Sequence, residues 1–133
     1  MEINTLMLIK PDAASKNKIG EIIKMIEDNG FIIQKMKMLQ MTDELAKNFY
    51  AVHKGKSFFK ELLKFMTSDK IVAIVLKREN AVDELRLLVG ATNSNEAKVG
   101  TIRYLYGTDI QCNAVHASDS VENAKKEISI IFP

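Results

Sequence analysis

Two short apolar runs limit the folds open to this chain more than any other feature. They are Thr5-Leu6-Met7-Leu8-Ile9 and Ile71-Val72-Ala73-Ile74-Val75-Leu76. Each is continuous, uncharged and too short for a buried helix, and the second is rich in β-branched residues, so both read as buried strands. Lys10-Pro11-Asp12 ends the first run, because proline offers no N–H to a ladder. Ile19, Ile22, Ile23 and Ile26 then repeat at helical spacing, and Asn29-Gly30 supplies a stop. Residues 31–40 read as a second strand, with Lys35 and Lys37 on one face and Ile32, Met36 and Met38 on the other, the methionines as core filler. Thr42 is placed to cap a helix with the stripe Leu45, Phe49 and Val52. Beyond Lys54-Gly55-Lys56 a second helical pattern carries Phe58, Phe59, Leu62, Phe65 and Met66, so the two predict a helical hairpin.

After the 71–76 strand the spacing predicts a helix over 79–89, with Arg86 late in it, and a long polar loop over 90–100. Residues 104–112 read as a helical turn followed by coil. Ala114-Val115 reads as a fourth short strand. Val121, Ala124, Ile128 and Ile131 predict a last helix, with Asp119 as N-cap and Glu122 as its capping-box partner. Without the hairpin the order is βαββαβ plus a terminal helix. This is the α+β, ferredoxin-like split βαβ arrangement: a four-stranded, mainly antiparallel sheet with helices on one face, one domain over 1–133.

Composition narrows the function classes. A net charge of +2 gives no general basis for a nucleic-acid or anionic-membrane surface. The N-terminus has no signal-peptide pattern and no apolar run can span a bilayer, so a cytoplasmic protein is expected. Lone Cys112 allows no internal disulfide and reads as packing; with two distant histidines it makes no metal cage. Gly55-Lys56-Ser57 resembles the end of a phosphate-binding loop, but Tyr50 stands where that loop needs its first glycine.

What remains is a scatter of chemically able groups at element ends: Lys10, Arg86, Thr92, Arg103, Asn113 and His116. Arginine is scarce, with three against sixteen lysines, so its positions point to planar, bidentate contacts. Cations and donors around one imidazole suit phosphate handling. Taken alone, His116 between an apolar dipeptide and Ser118-Asp119-Ser120 reads more readily as a junction-filling side chain than as a nucleophile. His53 reads as a surface residue.

Five blocks in order alter that balance: Ile9-Lys10-Pro11-Asp12, Phe49-Tyr50 with Phe58-Phe59, Gly90-Ala91-Thr92-Asn93, Gly100-Thr101-Ile102-Arg103, and Asn113-x-x-His116-x-Ser118-Asp119-Ser120. Together they resemble the nucleoside diphosphate kinase family, in register from residue 5 to about 132. The resemblance implies transfer of the γ-phosphoryl group of a nucleoside triphosphate to a nucleoside diphosphate, in ping-pong fashion through phosphohistidine at His116. It implies that Glu127 orients the ring and that Ser118 supplies a neighbouring hydroxyl. Lys10, Tyr50, Arg86, Thr92 and Arg103 correspond to phosphate-binding positions, and Lys10 and Asn113 to ribose-binding ones. Phe58 corresponds to the aromatic that stacks on the base, and Ile110 to the residue on its other face. Mg²⁺ carried by nucleotide phosphates is the implied cofactor, with ATP, ADP, GTP and related nucleotides as partners and a homo-oligomer, tetramer or hexamer, as the assembly. A non-catalytic nucleotide-binding relative stands as the alternative. The sequence departs from the family pattern at Ala117 (commonly Gly), Tyr104-Leu105-Tyr106, Lys56-Ser57, Asp69-Lys70 and Ser94. None of these falls on a residue of the implied catalytic set.

Overall fold

A computed structural model describes residues 2–133. Its strands are β1 (Glu2–Ile9), β2 (Ile32–Leu39), β3 (Ile71–Glu79) and β4 (Val115–Ala117). They form one sheet in the order β2-β3-β1-β4 with every neighbouring pair antiparallel. The helices are α1 (Pro11–Ser15), α2 (Ile19–Asp28), α3 (Asp43–Phe49), α4 (Phe59–Met66), α5 (Ala81–Val89), α6 (Ile102–Tyr106) and α7 (Val121–Ile131). The ferredoxin-like arrangement is as expected from the apolar runs.

The two runs lie at the sheet centre because both faces are covered. Met7, Ile9, Val72, Ile74 and Leu76 pack with Ile22 and Ile26 of α2 and Leu85 and Val89 of α5. The alternate residues Leu6, Leu8, Ile71, Ala73 and Val75 pack with Phe49 of α3, Leu63 and Met66 of α4, and Ile131 of α7. The expectation of helices on one face therefore holds only for the split βαβ core. The hairpin and the last helix roof the other face, which is why β1 and β3 lack the alternation of a half-exposed strand.

Strand β2 departs from the predicted pattern. A bulge between Ile33 and Lys35 shifts its register against β3. Ile32 lies opposite Lys77, whereas Met36 and Met38 lie opposite Ile74 and Val72, so the bulge separates Ile32 from the face of the methionines. Met36 and Met38 are not core filler: both are exposed on this edge strand, as is Ile32. Lys35 and Lys37 stand over the Phe132 ring, and Lys37 donates to the Ile131 carbonyl at the end of α7.

Other local corrections concern helix ends. The Lys10-Pro11 stop opens α1, with Pro11 at a first-turn position that needs no N–H. Thr42 caps α3 as expected, its Oγ1 accepting from Leu45 N. Helix α3 stops at Phe49, however, and Val52, in a 3-10 turn, is exposed. The cap of α7 is Ser120, which accepts from Asn123 N at 3.1 Å, not Asp119. Ala114 is not in β4; it has φ +74 and its neighbours close a three-residue turn, Val115 N to Asn113 O at 2.9 Å. Ala117 lies inside β4 opposite Met7, so the methyl group that replaces the family's usual hydrogen meets no backbone constraint.

Candidate active site

Strand alternation aims His116. Val115 and Ala117 enter the core shared with α2 and α5, so His116, opposite Leu8, points to the face roofed by α3 and α7. There its Nε2 meets Glu127 Oε1 at 2.8 Å. The same oxygen accepts from Ser118 Oγ at 2.7 Å, and Ser118 is fully buried. A carboxylate only accepts, so Nε2 donates to Glu127 and Nδ1 is the ring nitrogen left for the cavity, where the neutral ring has its lone pair. Phe49 and Tyr50 stand edge-on to the imidazole, with ring centroids 5.2 and 6.4 Å away.

His116 borders a cavity of about 680 Å³, in the range of pockets that hold a small ligand. Every site residue expected from the sequence borders this cavity except Ser118, which lies behind Glu127. Strand β1 delivers Lys10, 7% exposed, whose Nζ donates to Asn113 Oδ1 at 2.9 Å and to the Gln111 carbonyl at 3.3 Å. Asn113 in turn donates to the carbonyls of Thr92 and Ile110, each at 2.9 Å, tying the long loop to the turn before β4. Arg103 belongs to α6, not to the loop end, and is braced by backbone: Nη1 donates to Gly90 O at 3.1 Å and Nη2 to Val115 O at 2.9 Å. Gly90 is required there. Its φ is +93, and a Cβ would stand 2.6 Å from Thr101 Oγ1. Arg86 of α5 reaches the Ala117 carbonyl at 3.5 Å. Thr92 is exposed on the loop. Phe58, immediately before α4, and Ile110 are exposed at the cavity mouth.

The electrostatics favour an anion. Burial and the neighbouring Arg103 lower the Lys10 pKa to about 8. Burial and Arg86 lower that of Arg103 to about 10. Arg103 Nε and the Tyr50 hydroxyl are buried without hydrogen-bond partners. Burial and the Glu127 charge hold the Tyr50 hydroxyl in its protonated, donating form. A bound polyanion would relieve the repulsion between cations and satisfy such donors.

Because the ammonium form of Lys10 is the one that attracts an anion, nucleotide KM is expected to rise as pH increases through about 8. A pH profile of KM, run from neutrality upward, checks this. The linkage sign is opposite for folding. Between about 8 and the ordinary lysine value of 10.5 the unfolded chain binds the extra proton, so this lysine makes stability rise with pH in that window.

His53 is the residue the sequence reading missed. It borders the cavity, stacks on Tyr50 with centroids 6.3 Å apart, and lies 5.3 Å from the Phe58 ring. Its spacing of three residues from Tyr50 was the available signal, obscured because α3 tightens to a 3-10 turn at Ala51–His53. Asp119, Asn123 and Lys126 also border the cavity, and Asn123 lies one turn before Glu127 on α7.

Comparison with known proteins agrees with this geometry. The family model described as nucleoside diphosphate kinase matches residues 3–133. A nucleoside diphosphate kinase of Histophilus somni is 51% identical over 128 residues, 96% of this chain and 91% of that protein. One from Campylobacter jejuni is 53% identical over 96% of this chain and 93% of its own length. Among solved structures, an orthorhombic crystal form of the Aquifex aeolicus nucleoside diphosphate kinase superposes with a TM-score of 0.97 at 44% identity, covering 100% of this chain and 96% of that one. A Halobacterium salinarum nucleoside diphosphate kinase in complex with CDP gives 0.95 at 34% identity, covering 99% and 88%. The chain belongs to the nucleoside diphosphate kinase family and is an enzyme that transfers a phosphoryl group between nucleoside triphosphates and nucleoside diphosphates.

Proposed function

We propose that transfer runs in two half-reactions through His116 Nδ1. In the first, the Nδ1 lone pair attacks the γ-phosphorus, the N–P bond forms, the bond to the β–γ bridging oxygen breaks, and the diphosphate leaves with that electron pair. In the second, the β-phosphate oxygen of another nucleoside diphosphate attacks the phosphohistidine and Nδ1 regains its lone pair. The observation that carries this reading is the 2.8 Å contact of Nε2 with Glu127, which orients the ring and leaves the other nitrogen for the cavity. Ser118 holds the Glu127 oxygen from behind. Lys10, Arg86, Arg103, the Tyr50 hydroxyl and Thr92 hold phosphate oxygens as charge shifts from the γ-phosphorus to the leaving oxygen, and Lys10 and Asn113 also hold the ribose.

Phe58 and Ile110 take the base between apolar faces, an arrangement that admits purines and pyrimidines alike. The CDP bound to the Halobacterium salinarum relative supports a pyrimidine in this family's site. Phe58→Ala is expected to weaken nucleotide binding by about 1–3 kcal/mol while changing kcat little. Binding calorimetry with a diphosphate and steady-state kinetics check the split.

Among the described residues no cluster of His, Cys, Asp or Glu could hold a metal ion by itself. Mg²⁺ borne mainly by the nucleotide needs no such cluster and would neutralise phosphate charge there. Asp119, whose carboxyl is held below its usual range by its bond to Asn123, borders the same cavity. The reading extends to one domain over 1–133, to action in the cytoplasm, and to a homo-oligomer, tetramer or hexamer. Support for assembly is the exposed apolar side chains Ile32, Met36 and Met38 on the edge strand β2. No helix among the described residues is long and apolar enough to cross a membrane.

Incubation with γ-labelled ATP tests the mechanism. Acid-labile phosphate on the protein is expected. Its absence, with normal nucleotide binding, would favour the non-catalytic alternative.

A further inference from the structure

Ala114 is the residue in the site whose backbone most needs holding. Its φ of +74 lies in the region that side chains other than Asn, Asp and Gly rarely adopt. The other non-glycine residues with positive φ among those described are both asparagines, Asn17 and Asn80. What holds Ala114 comes from the far end of the sequence. Its N–H donates to Asp12 Oδ2 at 3.0 Å, and its carbonyl accepts from the Lys10 N–H at 2.8 Å. The segment Lys10-Pro11-Asp12 thus takes both polar groups of this one residue. Pro11 fixes the chain between them, and α1 begins there.

The turn around Ala114 is a junction of the site. Asn113, before it, receives Lys10 Nζ. Val115, after it, gives its carbonyl to Arg103 Nη2 and leads into His116. Relaxing Ala114 to negative φ would rotate Asn113 and its lysine partner relative to the strand that carries the histidine. Asp12 does not border the cavity; it reaches the site through this turn and through its charge on Lys10.

We propose that Asp12 is a positioning residue for phosphoryl transfer: its carboxylate holds Ala114 in the left-handed conformation that sets the Lys10–Asn113 pair against His116. This rests on the reading of those three residues given above. Burial pushes the Asp12 carboxyl above its usual range, with the Ala114 N–H and the Lys10 charge opposing the shift. Its Oδ1 is buried and has no hydrogen-bond partner. The acceptor at Oδ2 is the working atom, and an amide oxygen can replace it.

The test is a double-mutant cycle between positions 12 and 114, read as kcat/KM well below the melting temperature. Asp12→Ala is expected to lower kcat/KM by about 100-fold, the scale of a misplacement of about an ångström. Asp12→Asn should stay within about threefold of wild type. Ala114→Gly alone should change little, because glycine reaches positive φ without strain. In the Asp12→Ala background it should recover about tenfold, a recovery that a general loss of stability would not show. Should Asp12→Ala fail to fold, Asp12→Ala/Ala114→Gly carries the test and is expected to fold and turn over. Normal kcat/KM in Asp12→Ala, an Asp12→Asn variant as poor as Asp12→Ala, or no recovery with glycine overturns the proposal. Labelling of the wild-type protein separates this failure from failure of the phosphohistidine reading, since a labelled wild type with an unaffected Asp12→Ala variant removes only the positioning role.

Discussion

Replacing His116 with alanine is expected to lower kcat by about four orders of magnitude or more and to leave the protein unlabelled by γ-labelled ATP. The cavity offers no substitute nucleophile in that position. His53, the other imidazole, stacks on Tyr50 and lies tilted against Phe58, while the imidazole bonded to Glu127 is that of His116. Folding should survive, because Glu127 retains Ser118 as a donor and the lost ring is partly exposed. Nucleotide binding should also survive, since Lys10, Arg103 and Asn113 are held by contacts that do not involve His116. Single-turnover labelling, steady-state rates and diphosphate binding measured on one preparation separate these outcomes. Undiminished labelling of the variant would place the phosphate on another residue.

Arg103→Ala carries the second large effect, a fall in kcat/KM of about 10³-fold, as for other cations aimed at a transferring phosphoryl group. Unlike His116→Ala, it should also reduce stability. Arg103 is 9% exposed and supplies donors to the Gly90 and Val115 carbonyls. Leaving buried acceptors unpaired costs about 1–3 kcal/mol. Arg103→Lys should rescue little of either, because one ammonium on a single-point stem cannot bridge two carbonyls and still present charge to the cavity. Thermal melts and kcat/KM on both variants check the pair of effects. A near-normal rate in Arg103→Ala with a lowered Tm would make this arginine a brace only.

Much of the fold could be read directly because its strongest signals are local. The runs 5–9 and 71–76 are strands by length and composition, and the isoleucine spacing of 19–26 is a helix wherever it docks. What failed was decided by neighbours. The methionines of β2 have the alternation of a buried face, yet they belong to an edge strand with a bulge, and no residue in that segment announces that its partner pairs on one side alone. Asp119 has the identity of a cap, but the helix starts one residue later, so Ser120 caps and Asp119 turns to the cavity. Ala114 looks like a strand residue; its left-handed backbone depends on Asp12, over a hundred positions away.

The site divides in the same way. The amino-acid sequence by itself named the side chains expected at the site, because the order of motifs resembles one family and matches them to its positions, and all of them but Ser118 border one cavity. Only the tertiary structure decided how they are aimed. It set Nε2 of His116 against Glu127 and so left Nδ1 to the cavity, braced Arg103 on two carbonyls, and brought His53 in beside Tyr50. The reason is physical: residue identity is carried position by position along the chain, whereas the direction of a lone pair or a guanidinium is set by contacts between segments that only strand pairing and helix packing bring together.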